Sequence, residues 1–189
     1  MKIVETPIPD LFVLEPRIFE DSRGYFLETY SQKALELHGL TMNFIQDNES
    51  KSEYGVIRGL HYQLAPYAQT KLVRVVMGTI IDVAVDLRRN SPTFGKHFAV
   101  ELNSVKKNML LVPRGFAHGF SVLSETAIVC YKCDGPYTPE AERGILYNDS
   151  QLGIDWQVNS EKALVSAKDK VYPSFSQAEM NFIYGKERD

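Results

Sequence analysis

The 189-residue chain has little that would send it to a membrane, a nucleic acid or an oxidising compartment. No apolar run approaches the roughly 20 residues of a membrane span, and the opening stretch MKIVETPIPDLFV lacks the apolar centre of a signal peptide. The net charge of −3 argues against nucleic acid as a partner, because phosphate backbones need a basic surface; a local basic pocket for a small anion is still compatible with it. Cysteine is scarce. Cys130 and Cys133, in CYKC, have no second pair with which to complete a structural zinc site. Residues three apart on a strand point to opposite faces, so two reduced, half-buried thiols are expected rather than a redox pair. Linkers, repeats and low-complexity segments are also missing. These absences lead us to expect one cytoplasmic domain over residues 1–189.

What the chain does have is many short apolar runs, and its hydrophobic share of 44% and charged share of 24% are ordinary for a globular protein. LVRVVMG, TIIDVAVDLR, KHFAVELN, NMLLVPRG and TAIVCYK are rich in Val and Ile and bounded by Gly, Asn, Pro or Ser. That pattern predicts strands of a sandwich or barrel. SQKALELHG alone reads as clearly helical, with Ser31 placed to cap it and Gly39 to end it. FSQAEMNFIYG is expected to hold a second short helix. The fold class is therefore mostly β, a barrel or sandwich with a few short helices.

Alternation along such strands sorts the polar groups. Lys71 shares a face with Val73 and Val75; Asp82 and Asp86 share one with Ala84; Tyr131 shares one with Val129 and Cys133. Isolated ionisable groups among apolar neighbours suit a small-ligand cavity, whereas a solvated outer face would carry more charge. The stretch RGLHYQ breaks the pattern, since strict alternation sends Arg58 and His61 to opposite faces. A bulge at Gly59 would bring both to one side. Asp82, Asp86, His38 and His97 receive no role from these patterns.

SRGYFLE, FIQDNESKS, GVIRGLHYQLAPYAQTKLVRV, DVAVDLRRNSPTFGK, VPRGFAHGFSVL, YKCDGPYTPEAERGILYND and VSAKD occur in that order over nearly the whole chain. Together they resemble the dTDP-4-dehydrorhamnose 3,5-epimerase family of the cupin superfamily. The resemblance implies a jelly-roll barrel, a homodimer, a dTDP-sugar substrate and no metal or organic cofactor. It makes His61 the catalytic base with Asp169 as its support, and Tyr131 the acid on the opposite face of the sugar. Lys71 and His118 would surround the ketone and the sugar. Arg23, Glu28, Gln46, Asn48 and Arg58 match positions that hold the nucleotide and its diphosphate. Glu142 and Lys168 match further substrate contacts, and Tyr137 the aromatic that stacks on thymine. Part of the nucleotide site would come from the neighbouring subunit.

The chemistry suits these residue types. Hydrogens at C3 and C5 of a 4-keto sugar both flank the ketone, and removing either leaves an enolate. His is a base near neutrality, Lys a charge for the enolate oxygen, and Tyr a neutral proton source. Arg binds diphosphate oxygens in a planar, permanently charged fork. One alternative is a single-centre (C3 or C5) epimerase acting on a related nucleotide sugar. Two others are a metal-dependent cupin and a non-catalytic binding module. The metal reading is weakened because the place of the H-x-H ligand pair reads His61-Tyr62-Gln63.

Overall fold

The Val- and Ile-rich runs fold as strands because branched side chains pack well on a pleated surface. The structure, a computed structural model, describes residues 1–185. The strands are β1 (Lys2–Glu5), β2 (Phe12–Glu15), β3 (Ile18–Asp21), β4 (Gly24–Leu27), β5 (Gln46–Glu53), β6 (Val56–Gln63) and β7 (Lys71–Met77). They continue with β8 (Thr79–Asp86), β9 (His97–Asn103), β10 (Met109–Val112), β11 (Phe116–Val122), β12 (Thr126–Cys133), β13 (Glu142–Gly144) and β14 (Leu164–Val165). One sheet runs β1-β2-β10-β7-β12-β5 and the other β13-β6-β11-β8-β9, while β3 and β4 form a separate hairpin. Two facing, largely antiparallel sheets make the expected mostly-β, cupin-like jelly roll. No helix among the described residues is long and apolar enough to cross a membrane.

Alternation decides where each side chain goes. Val73, Val75, Ala84, Phe116, Phe120 and Val129 meet between the two sheets, in the barrel interior. The opposite face of β8 gives Ile81, Val83 and Val85 to a second cluster, covered by Leu152, Trp156, Phe175 and Phe182 from the C-terminal third. Leu72, Met109 and Leu111 form a third cluster on the outer side of the first sheet, under Leu35 and Met42. Each fully buried aliphatic side chain contributes roughly 1.5–3 kcal/mol, and sealing both faces of β8 turns it into an unbroken apolar run apart from its two aspartates.

The expected helix spans Gln32–Glu36, designated α1, with Ser31 Oγ accepting from Ala34 N at 3.3 Å. It ends in a turn in which Gly39 takes φ +74° and Leu40 N donates to Leu35 O. The second helix does not form: FSQAEMNFIYG holds only a 3₁₀ turn at Phe175–Gln177. Its backbone is used elsewhere, since Phe175 N donates to the Asp149 carboxylate and the segment runs on to bury Phe182 against the second sheet.

The irregularity expected at Gly59 is present. His118 pairs with His61 and Phe120 with Arg58, so β6 has two residues where β11 has one. Gly59 takes φ +133°, and a Cβ there would lie 2.6 Å from Gly119 Cα. A Cβ on Gly119 would in turn lie 2.7 Å from the Arg58 carbonyl oxygen, so both strands need glycine at the crossing.

Candidate active site

Register carries the polar groups into one space. His118 lies opposite both His61 on β6 and Ala84 on β8. Ala84 belongs to the interior cluster, so both histidines face inward. From the facing sheet, Tyr131 pairs with Val73 and packs against the same cluster. Lys71 begins β7, and its Nζ stands 5.8 Å from the centroid of the Tyr131 ring. His61, Lys71 and His118 line one narrow recess. Imidazole, ammonium and phenol thus reach the interior from opposite walls.

His61 Nε2 is 2.7 Å from Asp169 Oδ1. The other carboxylate oxygen accepts from Gly59 N at 3.2 Å, so the bulge also helps seat the aspartate. Burial pushes the Asp169 carboxyl up, but the bonds from His61 and Gly59 outweigh it and hold the group below its ordinary range. An ionised carboxylate can only accept, so Nε2 carries the hydrogen of this contact and Nδ1 is the ring nitrogen turned away from Asp169.

A second pair lies deeper. His118 Nε2 is 2.8 Å from Asp82 Oδ1. Asp82 is fully buried, and its Oδ2 has no hydrogen-bond partner. Lys71 lies in the field of this carboxylate. Burial lowers its affinity for a proton, against the opposing pull of Cys133, Asp82 and Glu142, and the net shift is downward. Tyr131 is shifted the other way: burial and Cys133 push its phenol up, against Arg58, so it stays protonated at neutral pH.

The cavity beside His61, about 470 Å³, has Arg58, Glu142, Lys168 and Asp169 in its wall. Arg58 and His61 therefore do share a side. Arg58 is exposed, and its Nε donates to Ser52 Oγ at 3.1 Å. Glu142 Oε2 accepts from Lys168 Nζ and from Tyr137 Oη, each at 2.6 Å. Partial burial pushes the Glu142 carboxyl up, but these two donors bring it below its usual value. Gln46 donates to Asn48, and Asn48 reaches the Cys133 sulfur at 3.7 Å. Asn48 pairs with Tyr131 across β5 and β12, so this polar edge adjoins the phenol.

Two expected site residues stand apart. Arg23 is at the tip of the β3–β4 hairpin, highly exposed and bonded to Asp21, and Glu28 lies exposed just past β4. Within the described residues no hydrogen bond ties either of them to the pocket. Asp86 shares the face of Asp82 and Ala84, opposite Phe116, and there binds Arg88, Ser91 and Thr93 at the end of β8. Cys130 and Cys133 face opposite ways, Cys130 toward Glu49 and Cys133 toward Asn48. Gln63, where a cupin ligand would stand, is committed to Tyr67 O, Pro136 O and Thr138 N. No group of three or more His, Cys, Asp or Glu among the described residues has the arrangement of a metal centre. A larger hollow of about 870 Å³ lies near Phe182 and Tyr184, but its arginines are paired, Arg88 with Asp86 and Asp10, and Arg114 with Asp134.

Sequence reasoning left Asp82 without a role and passed over Tyr172, whose ring meets His61 edge-on at 5.8 Å. Asp82 could have been flagged as a lone acid in an apolar strand. Nothing in the local sequence marks Tyr172.

The profile of the family described as dTDP-4-dehydrorhamnose 3,5-epimerase matches residues 5–177. A dTDP-4-dehydrorhamnose 3,5-epimerase of Shigella flexneri is 51% identical over 170 residues, covering 89% of this chain and 93% of that protein. The crystal structure of dTDP-4-dehydrorhamnose 3,5-epimerase from Elizabethkingia anophelis superposes with a TM-score of 0.90 at 52% identity, covering 93% of this chain and 97% of that one. A dTDP-6-deoxy-D-glucose-3,5-epimerase from Legionella pneumophila, in complex with dTDP-4-keto-L-rhamnose, superposes with a TM-score of 0.89 at 45% identity, covering 93% of each chain.

Proposed function

Because the chain belongs to the dTDP-4-dehydrorhamnose 3,5-epimerase family, we propose that it inverts C3 and C5 of dTDP-4-dehydro-6-deoxy-D-glucose to give dTDP-4-dehydro-L-rhamnose. His61, with its tautomer held by Asp169, takes the proton from the carbon next to the ketone. The electron pair moves into the ring carbon–carbon bond, and the charge collects on the C4 oxygen. Lys71 and His118 stabilise that oxygen, most effectively where water is excluded. Tyr131 gives its proton to the same carbon from the opposite face and is reprotonated by solvent, as His61 is deprotonated by it. One round inverts one centre and a second round the other. Protons are the only species exchanged, so the step needs no electron acceptor.

The observation that carries this reading is the His61–Asp169 pair, 2.7 Å apart, on one wall of an interior whose other wall presents Lys71 against Tyr131. Arg58 is our candidate for the diphosphate, Tyr137 for stacking on thymine, and Gln46, Asn48, Glu142 and Lys168 for further contacts with the nucleotide sugar.

Arg23 and Glu28 enter this scheme through a homodimer, in which the hairpin of one copy completes the nucleotide site of the other. Its support is the hairpin's separation from both sheets, with Phe19 and Phe26 48% and 69% exposed. Light scattering should give twice the chain mass. Two thiols on opposite faces of β12 suit a reducing compartment, and we assign the reaction to the cytoplasm.

The direct test is incubation with dTDP-4-dehydro-6-deoxy-D-glucose in heavy water, followed by NMR and mass spectrometry. Deuterium at both C3 and C5 is the expected result. Uptake at one carbon would demote the enzyme to a single-centre epimerase, and tight binding without uptake would leave a binding module.

A further inference from the structure

β13 pairs with β6 so that Gly144 lies directly opposite His61. Cross-strand partners put their side chains on the same face, so residue 144 would ordinarily pack beside the imidazole. Gly144 leaves that slot open, and Tyr172 fills it: a Cβ at 144 would lie 2.3–2.5 Å from three atoms of the Tyr172 ring. The ring meets His61 at 5.8 Å between centroids and 68° between planes, an edge-to-face contact. His118 occupies the cross-strand position on the other side of His61. The turn that presents Asp169 therefore also delivers Tyr172, and its exit is tied down by Leu146 N donating to Pro173 O at 2.9 Å.

Tyr172 Oη is buried and makes no close hydrogen bond; burial pushes the phenol up, and its polar neighbour Lys168 pulls it down while donating at 2.6 Å to Glu142. The ring itself is what packs.

We propose that Tyr172 is a positioning residue for the base: lodged in the slot vacated by Gly144, it stops the His61 ring from tilting away from Asp169 and the substrate. This rests on His61 being the base of the reaction proposed above. A misplacement of about 1 Å at a reacting group can cost on the order of 10²-fold in rate. Tyr172→Ala should therefore lower kcat by roughly ten- to a hundredfold with KM changed less than about twofold. Tyr172→Phe should restore the lost kcat, because it returns the ring without the hydroxyl.

Gly144→Ala attacks the same contact from the other strand. Its methyl group has to displace the Tyr172 ring, so alone it should slow turnover about as much as Tyr172→Ala. Added to Tyr172→Ala it should cost nothing more, since the slot is then empty. Separate and multiplicative losses would overturn the proposal, as would a parallel fall in kcat and rise in KM, which describes a plain structural plug. Proton NMR of the free protein supplies a readout independent of turnover. The His61 Nε2 proton held by Asp169 should resonate far downfield in the wild type and in Tyr172→Phe, and be lost to water exchange in Tyr172→Ala. If wild type turns over and Tyr172→Ala matches it in rate and spectrum, the positioning role fails while the epimerase reading stands. If wild type shows no turnover but the resonance behaves as described, the positioning stands and the epimerase reading falls.

Discussion

Two histidine–aspartate pairs face the same interior, and they are built differently. In the His61–Asp169 pair the imidazole is 31% exposed, and the aspartate comes from a turn that also holds Gly59 N. In the His118–Asp82 pair the imidazole is 9% exposed and the carboxylate 0%, both on central strands of one sheet. A base has to reach a carbon acid and then exchange its proton with solvent, which only the first pair can do. The second is sealed, with one carboxylate oxygen unpartnered: Asp82 holds His118 at 2.8 Å and opposes the loss of the Lys71 proton. The same two residue types lie within reach of solvent in one place and are closed off from it in the other. Access to water makes the difference.

Removing the first imidazole should have the largest effect. His61→Ala should reduce kcat by about 10²–10⁴-fold or more, while isothermal titration with dTDP still detects binding. Comparable activity in His61→Ala and a large loss in His118→Ala would reverse the assignment of the two pairs.

Asp169→Asn comes next, with a loss on the order of 10²-fold, because an amide can present its N–H to Nε2 and favour the wrong tautomer. This pair also has a pH signature. The folded Asp169 carboxyl lies below its ordinary value, so its stabilisation is present above that ordinary value, about pH 4. It is lost as pH falls through the lowered one. Denaturant titrations should show the stability gap between wild type and Asp169→Asn shrinking as pH drops from 7 toward 3. A gap that does not change with pH would mean the carboxylate is not held ionised.

Asp82→Asn should be milder, about tenfold in kcat, and should act on the alkaline side. Burial already pulls the Lys71 proton affinity down, and removing a nearby negative charge pulls it down further. The high-pH limb of the kcat profile should move to lower pH. An unmoved limb would detach Asp82 from Lys71. Smallest of all is Cys130→Ser, outside both pairs on the outer face of the first sheet, where it touches Glu49. Its stability should lie within about 0.5 kcal/mol of wild type, with kcat unchanged in the same assay.

How much of this was legible beforehand can be argued residue by residue. Period-two alternation put Lys71 with Val73 and Val75 and Tyr131 with Val129, and their common burial in the interior agrees. The bulge at Gly59 was legible too, because Arg58 and His61 could share a side only if the strand broke step. Alternation also put Asp86 on the face of Ala84, and its pairing with Phe116 agrees, though Arg88, Ser91 and Thr93 engage its carboxylate at the strand end. The second helix failed: burying Phe175 and Phe182 outweighs the local helical preference of a short segment.

From the residues alone came the strands, the faces they present and the need for glycine at position 59, since each depends on neighbours a few positions away; the acid–base set, His61 with Asp169 included, came from the family resemblance. Register was different. That Gly144 stands opposite His61, that Tyr172 fills the gap and that Asp82 meets His118 all depend on pairings between segments many residues apart. Such pairings are settled only when the whole barrel closes and every buried face has found its cover, so the chemistry of the individual side chains could be read in one dimension but their company could not.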